Sequence, residues 1–223
     1  VTTTTTLIIT RHGHVEGINP RRFRGREDVP LTDLGIAQAK ETAARIAATR
    51  PPRAIYTSPM SRCVTTATAI GSACGIKAVV VDTLNDLDYG AWQWKTHEEM
   101  KKSSGELYAA WRTTPHRFRF PGGESLQDLV ARTGEALRYA LERHRGETVV
   151  LVGHDSVNRA LLMQILDQPL SAYWRLIFEP CSISEVEFVD GAPWVLRIND
   201  TSHLAGLDNG FVRPTDAAEK VAS

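Results

Sequence analysis

Four short stretches of the chain carry side chains able to handle a phosphate group. They are Arg11-His12-Gly13-His14, Arg62 just after Ser58-Pro59, Asp86, and Gly153-His154-Asp155. Arginine keeps its charge and binds phosphate oxygens through paired hydrogen bonds. Neutral imidazole is a nucleophile near neutral pH. A carboxyl group can protonate a leaving alkoxide. Gly13 beside His12 lets the backbone come close to a ligand. A lone Arg-His-Gly triplet recurs by chance, so the weight rests on four stretches agreeing in order.

Each stretch follows an expected strand. Leu7–Thr10, Ala54–Thr57, Ala78–Val81 and Thr148–Val152 are short apolar or β-branched runs. The Thr run before Leu7 reads as a lead-in to the first strand. Helices are expected over Leu34–Ala48, from Ser58-Pro59 to Gly75, from Ser125 onward, and from Asp155 or Ser156 to Leu166. Ser and Asp are good caps, Pro suits a first turn and Gly a helix end. Leu126, Leu129, Val130, Leu137 and Leu141 form one apolar stripe at helical spacing, with Asp128 three residues after the Ser125 cap. Two late strands are expected near Ser184–Val189 and Trp194–Ile198. Strands alternating with helices imply an α/β three-layer sandwich with a mostly parallel sheet. In such folds ligands sit beyond the carboxyl ends of the strands, where all four stretches fall. Helix N-termini after Ser58 and Asp155 add oriented N–H groups there.

The chain has 223 residues, read as one domain over 1–223. Residues 86–123 have poor periodicity yet hold seven of the sixteen Trp, Tyr and Phe side chains, so they read as an insertion packed over one end of the sheet. Residues 208–223 are polar and read as a loose tail. Twenty-six Lys and Arg balance twenty-six Asp and Glu, which argues against nucleic-acid or membrane partners. There is no transmembrane-length apolar run and no signal-peptide pattern. Val1 in place of Met suggests processing. Cys63, Cys74 and Cys181 form no CxxC pair, so each reads as a small buried residue in a reducing, cytoplasmic setting. Trp174 and the late strands near Trp194 offer a face for a homodimer.

These residues resemble the histidine phosphatase superfamily, the phosphoglycerate mutase-like fold. The resemblance spans about Leu7 to Leu166. It is carried by Arg11-His12-Gly13, by Asp28-Val29-Pro30-Leu31-Thr32 with Gly35 and Gln38-Ala39, by Ser58-Pro59 with Arg62 and Thr66-Ala67, by Leu84 to Trp92, by Pro121 to Ser125, and by Val150 to His154. It implies His12 as the nucleophile, Arg11, Arg62 and His154 as the phosphate pocket, and Asp86 as the acid–base residue. It also implies no metal and no cofactor. Asn19, Arg24 and Gly25 are expected as further substrate-binding residues, and the ligand as a small phosphate ester.

Two positions depart from the family pattern. Asp86 stands where Glu is usual, one methylene shorter, with Asp88 as a nearby substitute. His14 also stands where Glu is usual. Three rival readings remain. A phosphoglycerate mutase would return the phosphate to a bound acid, but only about thirty residues separate Gly90 from Pro121, where mutases carry a longer insertion. A metallohydrolase would use His12, His14, His154 and Asp86 as ligands, though Arg11 and Arg62 would repel a cation. An inactive phosphate-ester binding module would keep the Arg and His residues without turnover.

Overall fold

The computed structural model describes residues 2–207 and Phe211. The expected tail over 208–223 therefore lies outside the described residues, Phe211 excepted. Among the described residues six strands form one sheet: β1 (Thr4–Arg11), β2 (Ala54–Thr57), β3 (Val79–Val80), β4 (Thr148–Gly153), β5 (Ile183–Val189) and β6 (Ala192–Asp200), in the order β3-β2-β4-β1-β5-β6. The first four of that order pair in parallel, and β5 and β6 add an antiparallel edge.

The strands alternate their side chains between two apolar layers. Leu7, Ile9, Val149 and Leu151 face one layer with Leu126, Leu129 and Leu161. Ile8, Ile55, Val150 and Val152 face the other with Ala43, Ile46, Ala67 and Ile70. The second layer is built by helices α1 (Asp33–Thr49) and α2 (Ser61–Cys74). The first is built by α5 (Leu126–Arg143) and α6 (Asp155–Ile165), together with the segment holding α3 (His97–Ser103) and α4 (Gly105–Thr113). That segment packs by its rings. The Trp111 and Phe120 centroids are 4.8 Å apart, and those of Phe118 and Phe120 5.0 Å.

Helix ends follow local chemistry, with two corrections. Thr32 caps α1, and Ser125 and Asp128 form a capping box on α5. Gly75 ends α2 in the left-handed region, φ 71°. Ser58, however, is not the cap of α2. The helix starts after Met60, and the Ser58 hydroxyl is hydrogen-bonded to His154 Nε2 at 2.8 Å. Neither Asp155 nor Ser156 caps α6. His154 occupies the cap position without a side-chain bond, because Asp155 pairs with Arg159 and Ser156 donates to Asp86. The threonine run also differs from the expected lead-in. Thr4 to Thr6 belong to β1, with Thr5 and Thr6 buried, as β-branched side chains suit a pleated surface.

Cys63 and Cys181 are buried thiols, each pushed up to about 12, chiefly by burial. Cys74 is half-buried. Among the described residues no helix is long and apolar enough to cross a membrane. Trp174 is half-buried, and its indole N–H donates to the Trp111 carbonyl at 3.1 Å. Trp194 on β6 is 62% exposed.

Candidate active site

Sheet register brings the reacting groups together. Arg11 pairs with Gly153 across β1 and β4, and Thr57 with Val152 across β2 and β4. The residues following β1 and β4 therefore emerge at one height, and the one following β2 a single residue below. The His12 N–H donates to the Gly153 carbonyl at 3.0 Å, and that of Ser58 to the Val152 carbonyl at 3.1 Å. The His12 and His154 rings stand edge to face, 5.3 Å apart. Gly13 is required by a backbone approach. A Cβ there would lie 2.4 Å from the Gly35 carbonyl oxygen, so only glycine seats the turn on the start of α1.

His12 is 1% exposed. Its Nδ1 lies 2.7 Å from the Gly13 carbonyl oxygen, which can only accept. Nδ1 therefore carries the proton, and Nε2 keeps its lone pair. Burial, then Arg62, Arg11, His154 and Arg24, holds this imidazole well below the usual histidine range. It is neutral where a nucleophile must be.

His154 is also buried, and burial followed by Arg62, Arg11 and Arg24 lowers it well below that range. Its Nδ1 accepts from Arg62 Nε at 3.3 Å, so Nε2 holds the proton and donates to Ser58 Oγ. The sequence reading of a protonated His154 thus requires a bound dianion, whose charge would raise the imidazole.

The arginines are fixed by carbonyls. Arg11 donates to Phe178 at 2.6 Å and keeps a buried Nε without a partner. Arg62 donates to Glu27 at 2.7 Å and Gly25 at 2.6 Å. Gly25 acts here through its backbone. With φ +48° and a Cβ that would meet the Leu87 carbonyl at 2.8 Å, the position admits glycine alone.

Asp86 is 6% exposed despite its short side chain. Oδ1 accepts from the Ser156 hydroxyl at 2.5 Å and the Leu87 N–H at 2.8 Å. Oδ2 accepts from Arg62 at 3.3 Å. Its loop is clamped by Arg132, which donates to the carbonyls of Thr83 (3.0 Å), Asn85 (2.5 Å) and Asp86 (2.9 Å). Glu124 holds Arg132 in turn, at 2.9 and 3.0 Å.

Arg11, His12, Arg24 and Asp86 share the walls of one cavity of about 60 Å³. Five of its wall residues are arginines (11, 21, 22, 24 and 112) against two carboxylates, Asp86 and Asp155. Burial, then Arg11, brings Arg24 down to about 9, so it remains a cation at neutral pH. Asp155 stays below its ordinary value although burial would raise it, because Arg159, Arg11 and Arg21 outweigh burial.

Arg62 and His154 do not line this cavity themselves but stand against its wall, Arg62 on Asp86 and His154 on His12. Other expected residues are not brought to it. Asn19 is exposed, Gly25 lies behind Arg62, and His14 is hydrogen-bonded to Thr32 Oγ1 at 2.9 Å. Asp88 is no substitute for Asp86, since it accepts from Gly90 N–H at 2.9 Å and lies 3.6 Å from Arg26. With His14 turned away, the metal-ligand reading loses a member. Among the described residues no group of three or more His, Cys, Asp or Glu is placed to hold a metal ion. Sequence reasoning missed Ser58 and Ser156 by treating both as caps. The available signal was position: both hydroxyls lie within three residues of a strand end, where the ligand side of the sheet begins.

Residues 7–201 match the profile of the histidine phosphatase superfamily (branch 1). The chain belongs to that superfamily. This histidine phosphatase is 31% identical over 198 residues to phosphoserine phosphatase 1 of Hydrogenobacter thermophilus, covering 89% of this chain and 93% of that one. It is 35% identical over 209 residues to the probable phosphoglycerate mutase GpmB of Klebsiella pneumoniae, covering 89% and 94%. The solved structure of Bacillus stearothermophilus YhfR superposes with a TM-score of 0.84 at 31% identity, over 90% of this chain and 99% of that one.

Proposed function

We propose that this histidine phosphatase is a metal-independent phosphomonoester hydrolase acting through a phosphohistidine on a small phosphorylated metabolite. The observation that carries the reading is His12: neutral, with Nδ1 tied to Gly13, and its Nε2 lone pair unspent beside Arg11 and Arg62. In the first step that lone pair attacks phosphorus. The bond to the ester oxygen breaks, and the oxygen takes a proton from the carboxyl form of Asp86. Arg11, Arg62 and His154 hold the phosphoryl oxygens, with Arg24 adding charge. In the second step Asp86 takes a proton from water, the water oxygen bonds to phosphorus, and His12 leaves neutral. Positioning and charge neutralisation carry most of the rate. Ser156 and Arg132 act as positioning residues, aiming the Asp86 carboxyl.

The mutase reading keeps the first step and is favoured by the likeness to the probable mutase GpmB. Product analysis separates the two. A hydrolase releases inorganic phosphate from every turnover, whereas a mutase returns an isomeric ester. For hydrolysis, phosphate release from an aryl phosphate with EDTA present should persist in the wild type and vanish in His12→Ala. Activity lost to EDTA, or kept by the variant, would overturn the proposal.

A further inference from the structure

The end of β1 that carries His12 is held on its β5 side by one backbone group. The Cys181 N–H donates to the carbonyls of Arg11 at 3.1 Å and His12 at 3.3 Å. These bonds prolong the β1–β5 pairing, whose last partners are Thr10 and Ile183. Other peptide groups of the turn are held by side chains. The Gly13 N–H donates to the Thr66 hydroxyl at 3.2 Å, and the His14 N–H to the Gln38 amide oxygen at 2.8 Å.

Cys181 differs from these partners in its own backbone, which has φ +56°. A left-handed conformation is unfavourable for a residue with a Cβ, and Asn and Asp tolerate it best. Three of the five described non-glycine residues at positive φ are Asp or Asn, and Cys181 is not among them. It is fully buried, in an apolar cluster with Ala39 and Leu204. Strain of this kind persists only where the surroundings over-determine it, and it gathers where geometry serves function.

Two side chains impose it. The Cys181 carbonyl oxygen lies 3.2 Å from His203 Nε2 and 3.4 Å from Thr42 Oγ1, and those two atoms are 3.0 Å apart. A carbonyl can only accept, so His203 Nε2 carries the proton and donates. The Thr42 hydroxyl donates to the Gln38 carbonyl at 2.9 Å, which leaves its lone pairs to the histidine. His203 is half-buried in the single-turn helix Ser202–Leu204, against α1. With the Cys181 carbonyl pinned, its φ decides where its N–H points.

We infer that His203 and Thr42 are positioning residues for the nucleophile. They pin the Cys181 carbonyl, the Cys181 N–H pins the Arg11 and His12 carbonyls, and the His12 ring is thereby held with Nδ1 on the Gly13 carbonyl. This deepens the phosphohistidine reading and rests on it for the identity of the nucleophile. His203 and Thr42 are not among the residues lining the cavity, so they act through His12 alone.

The test uses the full chain and three variants. His203→Phe keeps a ring and removes the donor. Thr42→Val keeps the shape and removes the hydroxyl. His203→Gln offers an amide N–H in place of Nε2–H. Turnover of aryl and alkyl phosphates is measured beside the proton resonance of His12 Nδ1–H, assigned by its loss in His12→Ala. In His203→Phe and Thr42→Val kcat should fall about tenfold on both ester classes with KM nearly unchanged, and the resonance should shift. His203→Gln should recover most of the loss. Should either donor-deleted variant fail to fold, the other carries the comparison, and His203→Gln carries it alone if both fail, since its resonance should then match the wild type. Wild-type kcat with an unmoved resonance in the folded donor-deleted variants would overturn the inference, as would a His203→Gln chain that folds with a displaced resonance and a tenfold loss. A resonance that moves as expected in a chain that releases no phosphate would support the positioning role and sink the hydrolysis reading instead.

Discussion

The His12 Nδ1–H donates a hydrogen bond to the Gly13 carbonyl, and that bond leaves the lone pair on Nε2. Its surroundings keep it neutral: burial first, then Arg62 and Arg11. Protonation would consume the lone pair, so activity falls as pH falls through the His12 pKa. Because that pKa is depressed, the acidic limb of kcat/KM should lie below pH 6.5, after correction for the second ionisation of the substrate. A limb at or above 6.5 would contradict the electrostatic picture. Asp86→Asn should slow alkyl phosphates by about 10²-fold or more while sparing aryl phosphates, whose phenolate leaves unaided. Equal losses would remove Asp86 from the acid role. Of the residues expected from the sequence, Arg11, His12 and Asp86 line the cavity, and Arg62 and His154 stand against Asp86 and His12. The sequence was misleading for His14 and Asp88, because proximity in sequence to a catalytic residue does not say which way a loop side chain turns.

At the scale of elements, strand register does the assembling. β1 and β4 end level and β2 one residue short of them, so three loops far apart in sequence converge. Alternating apolar residues made those strands readable. Helix starts were less so, because Ser and Asp serve equally well as caps and as site residues. Where capping is genuine it should be measurable. Ser125→Ala removes the box on α5 and should cost about 1 kcal/mol in denaturant unfolding. The Arg132 clamp makes a functional prediction. Arg132→Gln frees the Asp86 loop, so kcat on alkyl phosphates should fall about tenfold further than on aryl phosphates. Parallel losses would make Arg132 a purely structural residue.

For the molecule as a whole, four described histidines, His12, His97, His154 and His203, are held below their ordinary values, chiefly by burial and with help from neighbouring arginines. The unfolded chain binds protons at these sites from pH 6.5 downward, whereas folded His97 resists until about 3. Stability is therefore complete above 6.5 and lost as pH falls toward 3. Urea midpoints at pH 7 and 4.5 should show the decline, and His97→Gln should flatten it. An unchanged slope would mean that His97 is not kept neutral. The layered α/β architecture was legible from alternation and periodicity. The long aromatic segment was legible only as a location, because interlocking rings follow no period that a sequence displays.

In the proposed reaction every phosphate passes through one nitrogen of His12. The most direct measurement is rapid quenching of wild-type enzyme with a labelled phosphate ester, followed by mapping of the modified residue under alkaline conditions that preserve phosphohistidine. Label on His12, formed and lost at rates compatible with turnover and absent from His12→Ala, is the expected result. Turnover with no label on His12, or label on another residue, would contradict it.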